Sequence, residues 1–349
     1  MRVQSQTWWI GSHVHDGRMR AFLHSMLGTR FWLCAWLAIA AGFLLPGHWQ
    51  WVVPTMPWLL AGILFFSSLR LGWTDLAKGI SAPGLAGRVA VMSLVKLVLL
   101  PLLVWAIVLL CSKEWSTGIL LTWLMPASMS TLALADLLGG NRVLALAYVA
   151  ITNILAPLSI PLLLTLGGGQ VDASMLAERA VFILTLLVLP FLVAQILRRY
   201  APTCVARGHG WWSRLSLLSM IMLCFAGTAG GRHAWADWPI MAMVIPMLLV
   251  CLGTVVSFVI GMAARRFWPH PDAVTFAIGA VFMNGGLALT CSNRFFPGDP
   301  HTMLPAVLVM IPAMGMAALA GRMRASAALD MPAAGQDMGN AGESASSPT

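Results

Sequence analysis

The stretch RVAVMSLVKLVLLPLLVWAIVLL, residues 88–110, is an apolar run that contains a single charge, Lys96. About 20 apolar residues in an α-helix cross the hydrocarbon layer of a bilayer, which is about 30 Å thick. Backbone groups in lipid need partners within their own segment, so a span of this length is expected to be a helix. The stretch predicts a transmembrane helix, and its lysine is a candidate functional group because intramembrane charges are costly.

The whole chain has the composition of an integral membrane protein. Of its 349 residues, 59% are hydrophobic and 9% are charged, whereas soluble domains carry about 25% charged residues. Its formal charge of +9 comes from basic residues at the ends of apolar runs, so the expected partner is the lipid bilayer and not a nucleic acid. The six cysteines show no CxxC or metal-ligand spacing, so we expect neither disulfides nor a cofactor or metal site.

Apolar runs recur along the chain and predict an all-α integral membrane protein with ten transmembrane helices. An N-terminal arm precedes them at residues 1–30, and a tail at residues 326–349, rich in Ala, Gly, Ser and Pro, is expected to be disordered. The predicted spans cover residues 31–47, 55–72, 89–111, 118–138, 143–166, 175–198, 211–230, 238–263, 272–293 and 302–321.

The distribution of Lys and Arg predicts the orientation of these helices. With ten spans, sixteen basic residues fall in the loops and termini of one side and four on the other, and Lys96 is the twenty-first. Basic residues concentrate on the cytoplasmic side of membrane proteins. We therefore expect a multi-pass protein of a cell membrane, a bacterial inner membrane, with both termini in the cytoplasm.

The spacing of prolines indicates an internal repeat. Three prolines of the first half recur in the second half, with shifts of 144, 145 and 148 residues: 46, 101 and 157 correspond to 190, 246 and 305. A shift of five helices inverts the second repeat relative to the first, an arrangement that secondary transporters use. We therefore predict two inverted five-helix repeats, residues 31–166 and 175–325.

Two predicted spans carry residues that interrupt a membrane helix. The fourth contains MPASMSTLALADLLGGN, residues 125–141, in which a proline precedes three hydroxyl side chains and a carboxylate; the ninth contains AIGAVFMNGGLALTCSN, residues 277–293. Broken helices at corresponding places in two halves indicate a transporter's binding site, although small residues also serve helix packing. The candidate site residues are Lys96, Ser128, Ser130, Thr131, Asp136, Met283, Asn284 and Gly285.

Several motifs occur in an order that resembles the bile acid:sodium symporter family. The fourth span runs from Pro126 to Gly140-Asn141 and is followed by ILAPL at residues 154–158, while FFSSLRLGWTDL and NGGLAL occupy residues 65–76 and 284–289. The similarity covers roughly residues 30–325. It implies broken, crossing fourth and ninth helices, and a panel of helices one, two, six and seven that moves against a core formed by the others.

The same resemblance implies that the family's sodium ligands are largely replaced in this chain. The family's fourth-helix Ser-Asn pair and its fifth-helix hydroxyls correspond to apolar side chains except at Thr131, its ninth-helix Glu corresponds to Gly279, and a Gln before the third-span proline corresponds to Lys96. Sodium requires hard oxygen ligands, so we expect both sodium sites to be lost. The former sodium-site positions are Thr131, Leu132, Ala145, Val149, Gly279, Met283 and Lys96.

These observations predict a secondary transporter that moves a small organic anion by alternating access without sodium coupling. A proton link through Lys96 would follow if its amine charges only when substrate binds, with Asp136 as a resting partner; alternatively, Lys96 snorkels to the cytoplasmic surface. An arsenite-efflux relative would carry a cysteine at Ala127, and an enzyme would carry a motif such as HExxH or GxSxG. A sensor or scaffold that lost transport is the alternative function, and the oligomeric state stays open.

Overall fold

The computed structural model describes residues 31–69, 84–167, 173–235, 238–313 and 315, and within these ranges the regular structure is helical. The predicted arm 1–30 and tail 326–349 lie outside the described residues. So do residues 70–76 of the second-span motif and the end of the tenth predicted span. The prediction of an all-helical protein is confirmed for the described part of the chain.

The helices follow one another with short connections. Those of the first half are α1 (Phe31–Leu44), α2 (Met56–Ser68), α3 (Leu85–Cys111), α4 (Lys113–Trp123), α5 (Ser130–Leu138) and α6 (Arg142–Leu164). Those of the second half are α7 (Ala173–Tyr200), α8 (Pro202–Arg207), α9 (His209–Trp235), α10 (Val244–Ala263), α11 (His270–Val281), α12 (Gly285–Phe295) and α13 (Pro300–Leu308).

Six helical segments are long and apolar enough to cross a membrane. They are Gln50–Ser68, Leu85–Cys111, Arg142–Leu164, Ser174–Tyr200, Gly210–His233 and Met241–Arg266. Two shorter apolar helices, Leu33–Leu44 and Pro300–Ala313, lie at either end of the described chain. Many large apolar side chains on these helices are exposed, such as Leu110 at 90% and Trp58 at 79%. A soluble monomer seldom carries so much exposed apolar surface, so the structure is that of a multi-pass membrane protein.

The remaining two predicted spans are each divided into two helices. Span 118–138 is divided between α4 and α5, and span 272–293 between α11 and α12. Pro126 follows the end of α4, where its ring and missing N–H interrupt the helical hydrogen bonds. The second interruption ends at Asn284, whose side-chain oxygen accepts a hydrogen bond from Leu287 N at 3.1 Å and caps the start of α12.

Glycine allows α4 to contact α13 closely. A methyl group added at Gly118 would lie 2.1 Å from the carbonyl oxygen of His301, and that oxygen belongs to backbone that has no rotamer through which to move away. The contact brings α13 against the first half of the divided span. A larger side chain at residue 118 would therefore separate the two helices.

We expect Gly118→Ala to lower the free energy of unfolding by about 1–3 kcal/mol, because overpacking a closely packed core has costs of this size. Gly87→Ala is the matched control, since a methyl group at that helical position meets no atom within 4 Å. Thermal unfolding of the two purified variants in the same detergent measures the difference. Equal melting temperatures would contradict the close α4–α13 contact.

Candidate functional site

The two helix breaks face each other and complete each other's hydrogen bonds. Ser128 N donates to Phe282 O and Asn284 N donates to Pro126 O, both at 2.8 Å, around an antiparallel bridge between Ala127 and Met283. Irregular backbone at membrane depth is tolerated only when protein or a water-filled cavity satisfies its polar groups. Each break supplies the partners that the other lacks, so neither is expected to persist alone.

Four helix termini converge at this pair of breaks. The carboxyl ends of α4 and α11 carry partial negative charge, whereas the amino ends of α5 and α12 carry partial positive charge. The site therefore offers places for both a cation and an anion within one small region.

Three of the predicted site residues present accessible polar groups at the breaks. Ser128 and Asn284 are half-buried and Ser130 is exposed. The Ser128 hydroxyl accepts hydrogen bonds from Ser130 N at 3.3 Å and from Ser130 Oγ at 2.9 Å. Because the oxygen of Asn284 caps α12, its amide N–H groups are the part of this side chain that a ligand can contact. These are hydrogen-bonding groups suited to anionic oxygen atoms.

Of the other predicted residues, four are buried around the breaks, whereas Asp136 lies away from them. Lys96, Thr131, Met283 and Gly285 are buried around the breaks. Asp136 lies in the last turn of α5, where its side chain is 42% exposed and forms an ion pair with Arg142 at 2.9 Å. The expected resting partnership between Asp136 and Lys96 is therefore not formed in this structure, because Arg142 is the described ion-pair partner of Asp136.

Lys96 extends from a π-helical turn, Val95–Leu99, within α3. Pro101 follows this turn; its nitrogen has no proton to donate to Leu97 O, and its ring crowds that carbonyl, so the preceding turn widens. The lysine side chain is 0% exposed, and its Nζ lies 3.4 Å from the carbonyl oxygen of Ala280 at the end of α11. The alternative that Lys96 snorkels to the surface is therefore wrong for this structure.

An aromatic ring fills the space beside Gly279, where the family resemblance places a glutamate. A methyl group at Gly279 would lie 2.2 Å from Cε1 of Tyr148 and 3.3 Å from Cγ2 of Thr131. The Tyr148 ring packs edge-on against Phe276. No side chain can extend from residue 279 toward α6 without displacing this ring, so the residues present do not fit the sodium ligand set that the resemblance implies.

The remaining former sodium-site positions on the first-half helices also supply few oxygen atoms. Ala145 and Val149 are buried on α6, and Leu132 is half-buried on α5. Thr131 does offer a hydroxyl, which is buried without a hydrogen-bond partner among the described residues. A single hydroxyl among apolar side chains is a poor site for a hard cation.

Sequence reasoning missed a buried ionic cluster at the amino end of α11. Asp272 is 2% exposed and forms an ion pair with Arg88, while its other oxygen accepts a 2.8 Å hydrogen bond from the amide of Asn141. Asn141 also caps α6 by accepting from Leu144 N. The cluster links three elements, namely α3, α11 and the turn that precedes α6. Its signal in the sequence was an acid in the first turn of the ninth predicted span.

A second residue that the sequence analysis did not single out, Asn153, supports the first break from α6. Its amide nitrogen donates to Ala127 O at 3.0 Å and to Val149 O at 2.8 Å. These two carbonyls determine which end of the amide points toward the break. The detectable signal was the polar pair Thr152-Asn153 inside an apolar span.

Comparison with known proteins identifies relatives across most of the chain. A family model described as the SBF-like CPA transporter family matches residues 29–320. An uncharacterized sodium-dependent transporter, YocS of Bacillus subtilis, is 20% identical over 280 residues, which cover 79% of this chain and 85% of the relative. The uncharacterized protein YbaS of the same organism is 25% identical over 284 residues, covering 79% and 89%.

The buried ion pair predicts a difference between two arginine variants. Arg88→Gln leaves the Asp272 carboxylate buried with one hydrogen-bond partner, and an unsatisfied buried group costs about 1–3 kcal/mol of stability. Arg142→Gln removes the partner of Asp136 from an exposed pair, whose arginine side chain is 68% exposed, and should change stability little. Thermal unfolding in one detergent compares them, and equal effects would show that the buried cluster is not stabilising.

Proposed function

Because the chain belongs to the SBF-like CPA transporter family, we propose that it moves a small organic anion across a cell membrane by alternating access. The observation that carries this proposal is the pair of interrupted helices, with four helix termini and free polar groups between them. The resemblance to bile acid:sodium symporters found in the sequence is confirmed by the family match across residues 29–320. Membership of a transporter family and the multi-pass helical structure both favour transport over enzymatic activity.

We further propose ten crossing helices in two inverted five-helix repeats. The divided spans occupy corresponding places in the two halves, and their breaks pair antiparallel, as an inverted repeat requires. In this arrangement α1, α2, α7 and α9 form the panel and the other long helices form the core. The packing of α9 against α1 and α2 supports a separate panel, and α7 packs against both α2 of this panel and α6 of the core.

The panel contacts the core at the proposed site. Leu60 of α2 and Leu223 of α9 pack against Gly286, in the first turn of α12 beside the second break. Displacement of the panel would expose this helix terminus, together with Ser128, Ser130 and Asn284, to one side of the membrane or the other. This geometry supports alternating access at the breaks.

The proposed substrate class follows from the charge of the accessible groups. The amino ends of α5 and α12 favour negative charge, and hydroxyl and amide groups at the breaks can donate hydrogen bonds to a carboxylate or sulfonate. No acidic side chain among the described residues forms an ion pair at the breaks. These features support an anionic substrate over a cationic one.

We expect transport to be independent of sodium because Tyr148 fills the space beside Gly279 and carbon atoms line the former ligand positions. A thermal-shift screen of carboxylates, sulfonates and taurocholate in choline chloride selects the probe, whose uptake into proteoliposomes is then measured with sodium, potassium or choline outside. Equal rates are the expected outcome. Uptake that rises steeply with sodium, while potassium stays inert, would contradict it.

The same assay separates transport from the alternative function. A probe that shifts the melting temperature but is never taken up would favour a sensor or scaffold that retains the fold. The variant Asn284→Asp removes the accessible amide N–H groups while keeping a side-chain oxygen that can cap α12; it should lose both binding and uptake. The hypothesis of a proton link through Lys96 stays a prediction.

We propose an inner-membrane orientation with both termini in the cytoplasm, and two native cysteines test it. Cys111 is the last residue of α3 and Cys204 lies in α8, and both are exposed. The proposed topology places Cys111 outside and Cys204 inside. In single-cysteine variants, a membrane-impermeant maleimide should label only Cys111 in intact cells and label Cys204 in inside-out vesicles. The reverse pattern would overturn the orientation.

A further inference from the structure

Two basic side chains of α3 reach α11 at positions that are equally spaced along the two helices. Arg88 meets Asp272, and Lys96, eight residues later, meets Ala280, eight residues after Asp272. A carboxylate neutralises the first cation, whereas only a backbone carbonyl meets the second. The ion pair at one end therefore holds α3 so that Lys96 reaches the interior end of α11.

The carbonyl that Lys96 meets is one that the break left without its helical partner. In a continuous helix Ala280 O would accept from Asn284 N, but that N–H donates to Pro126 O across the breaks. The neighbouring carbonyls are occupied, since Ile278 O accepts from Phe282 N and Val281 O accepts from Met283 N. The lysine ammonium thus supplies the donor that the break removed.

No carboxylate faces Lys96 among the described residues. Asp272 of α11 is engaged by Arg88 and Asn141, and Asp136 of α5 pairs with Arg142. On α6 the buried Tyr148 contributes only a phenol. The favourable electrostatic partner of the ammonium is therefore the negative end of α11. Carbonyls at the carboxyl ends of half-helices are the groups that hold coupling cations in transporters with broken helices.

We propose that Lys96 is a tethered cation: its ammonium occupies the place that a free monovalent cation would take at the end of α11. The inference rests on the proposed function in that it gives a reason for sodium independence. Because the ammonium is covalently attached, it stays at the breaks and cannot be released with the substrate. The full enclosure of its side chain fits a charge that stays in place better than one that meets the substrate directly.

The test removes the Lys96 charge by mutation and supplies a free monovalent cation in the buffer. Apparent melting temperatures of purified full-length protein are measured in choline chloride, sodium chloride and potassium chloride at one ionic strength. The wild-type protein should melt at the same temperature in all three. Lys96→Gln should melt roughly 3–6 °C lower in choline, and sodium or potassium should restore at least half of this loss.

Two further variants make the result specific. Lys96→Arg keeps a cation and should remain indifferent to the choice of salt, even if its larger head lowers the melting temperature. Lys113→Gln removes an exposed lysine of α4 and controls for the change in net charge; it should behave as the wild type. If Lys96→Gln can be purified only in sodium or potassium, that outcome also supports the proposal.

Three outcomes would overturn the tethered cation. They are a Lys96→Gln variant that melts like the wild type in choline, a loss of stability that neither sodium nor potassium reverses, and a Lys96→Arg variant that becomes as salt-dependent as Lys96→Gln. None of these measurements involves a transported substrate. Failure of this proposal is therefore separable from failure of the proposed transport function.

Discussion

The constraint on which this structure depends is the need of every buried backbone group for a hydrogen-bond partner. In hydrocarbon an unsatisfied N–H or C=O costs several kcal/mol, and a helix break at mid-span creates several such groups at once. Here the break after α4 and the break after α11 satisfy each other through two backbone hydrogen bonds. The arrangement of α4, α5, α11 and α12 around them follows, because each of these helices begins or ends beside that meeting point.

Charge placement follows from the same geometry. A helix that ends inside the protein presents partial negative charge, and the structure places the buried Lys96 ammonium against that end of α11. The helices that begin there present the opposite sign next to accessible hydroxyl and amide groups. The cationic side of the breaks is thus sealed, while the side suited to an anion is open to contact with the panel helices. In the proposed arrangement, this separation lets the Lys96 ammonium and a transient anionic ligand share one site.

The packing around Gly279 distinguishes this chain from the sodium ligand set that its family resemblance implies. One relative is named as a sodium-dependent transporter, yet in this chain the Tyr148 ring occupies the space beside residue 279. Loss of a ligand side chain alone would leave a cavity, whereas here an aromatic ring fills the space. This packing supports the proposal that transport by this chain does not depend on sodium.

The sequence by itself determined the class of the protein, its six long apolar helices and the places where two predicted spans break, because hydrophobic run length and the effects of proline are local properties. It also identified Lys96 as unusual. It did not predict that Lys96 meets Ala280, that Asp136 pairs with Arg142, or that Asp272 is the buried acid. The contacts of Lys96 and Asp272 join residues of α3 and α11 that are 184 positions apart, and that of Asp136 depends on where α5 ends. Only the tertiary structure decides such contacts, since nothing in either helix alone specifies its neighbour.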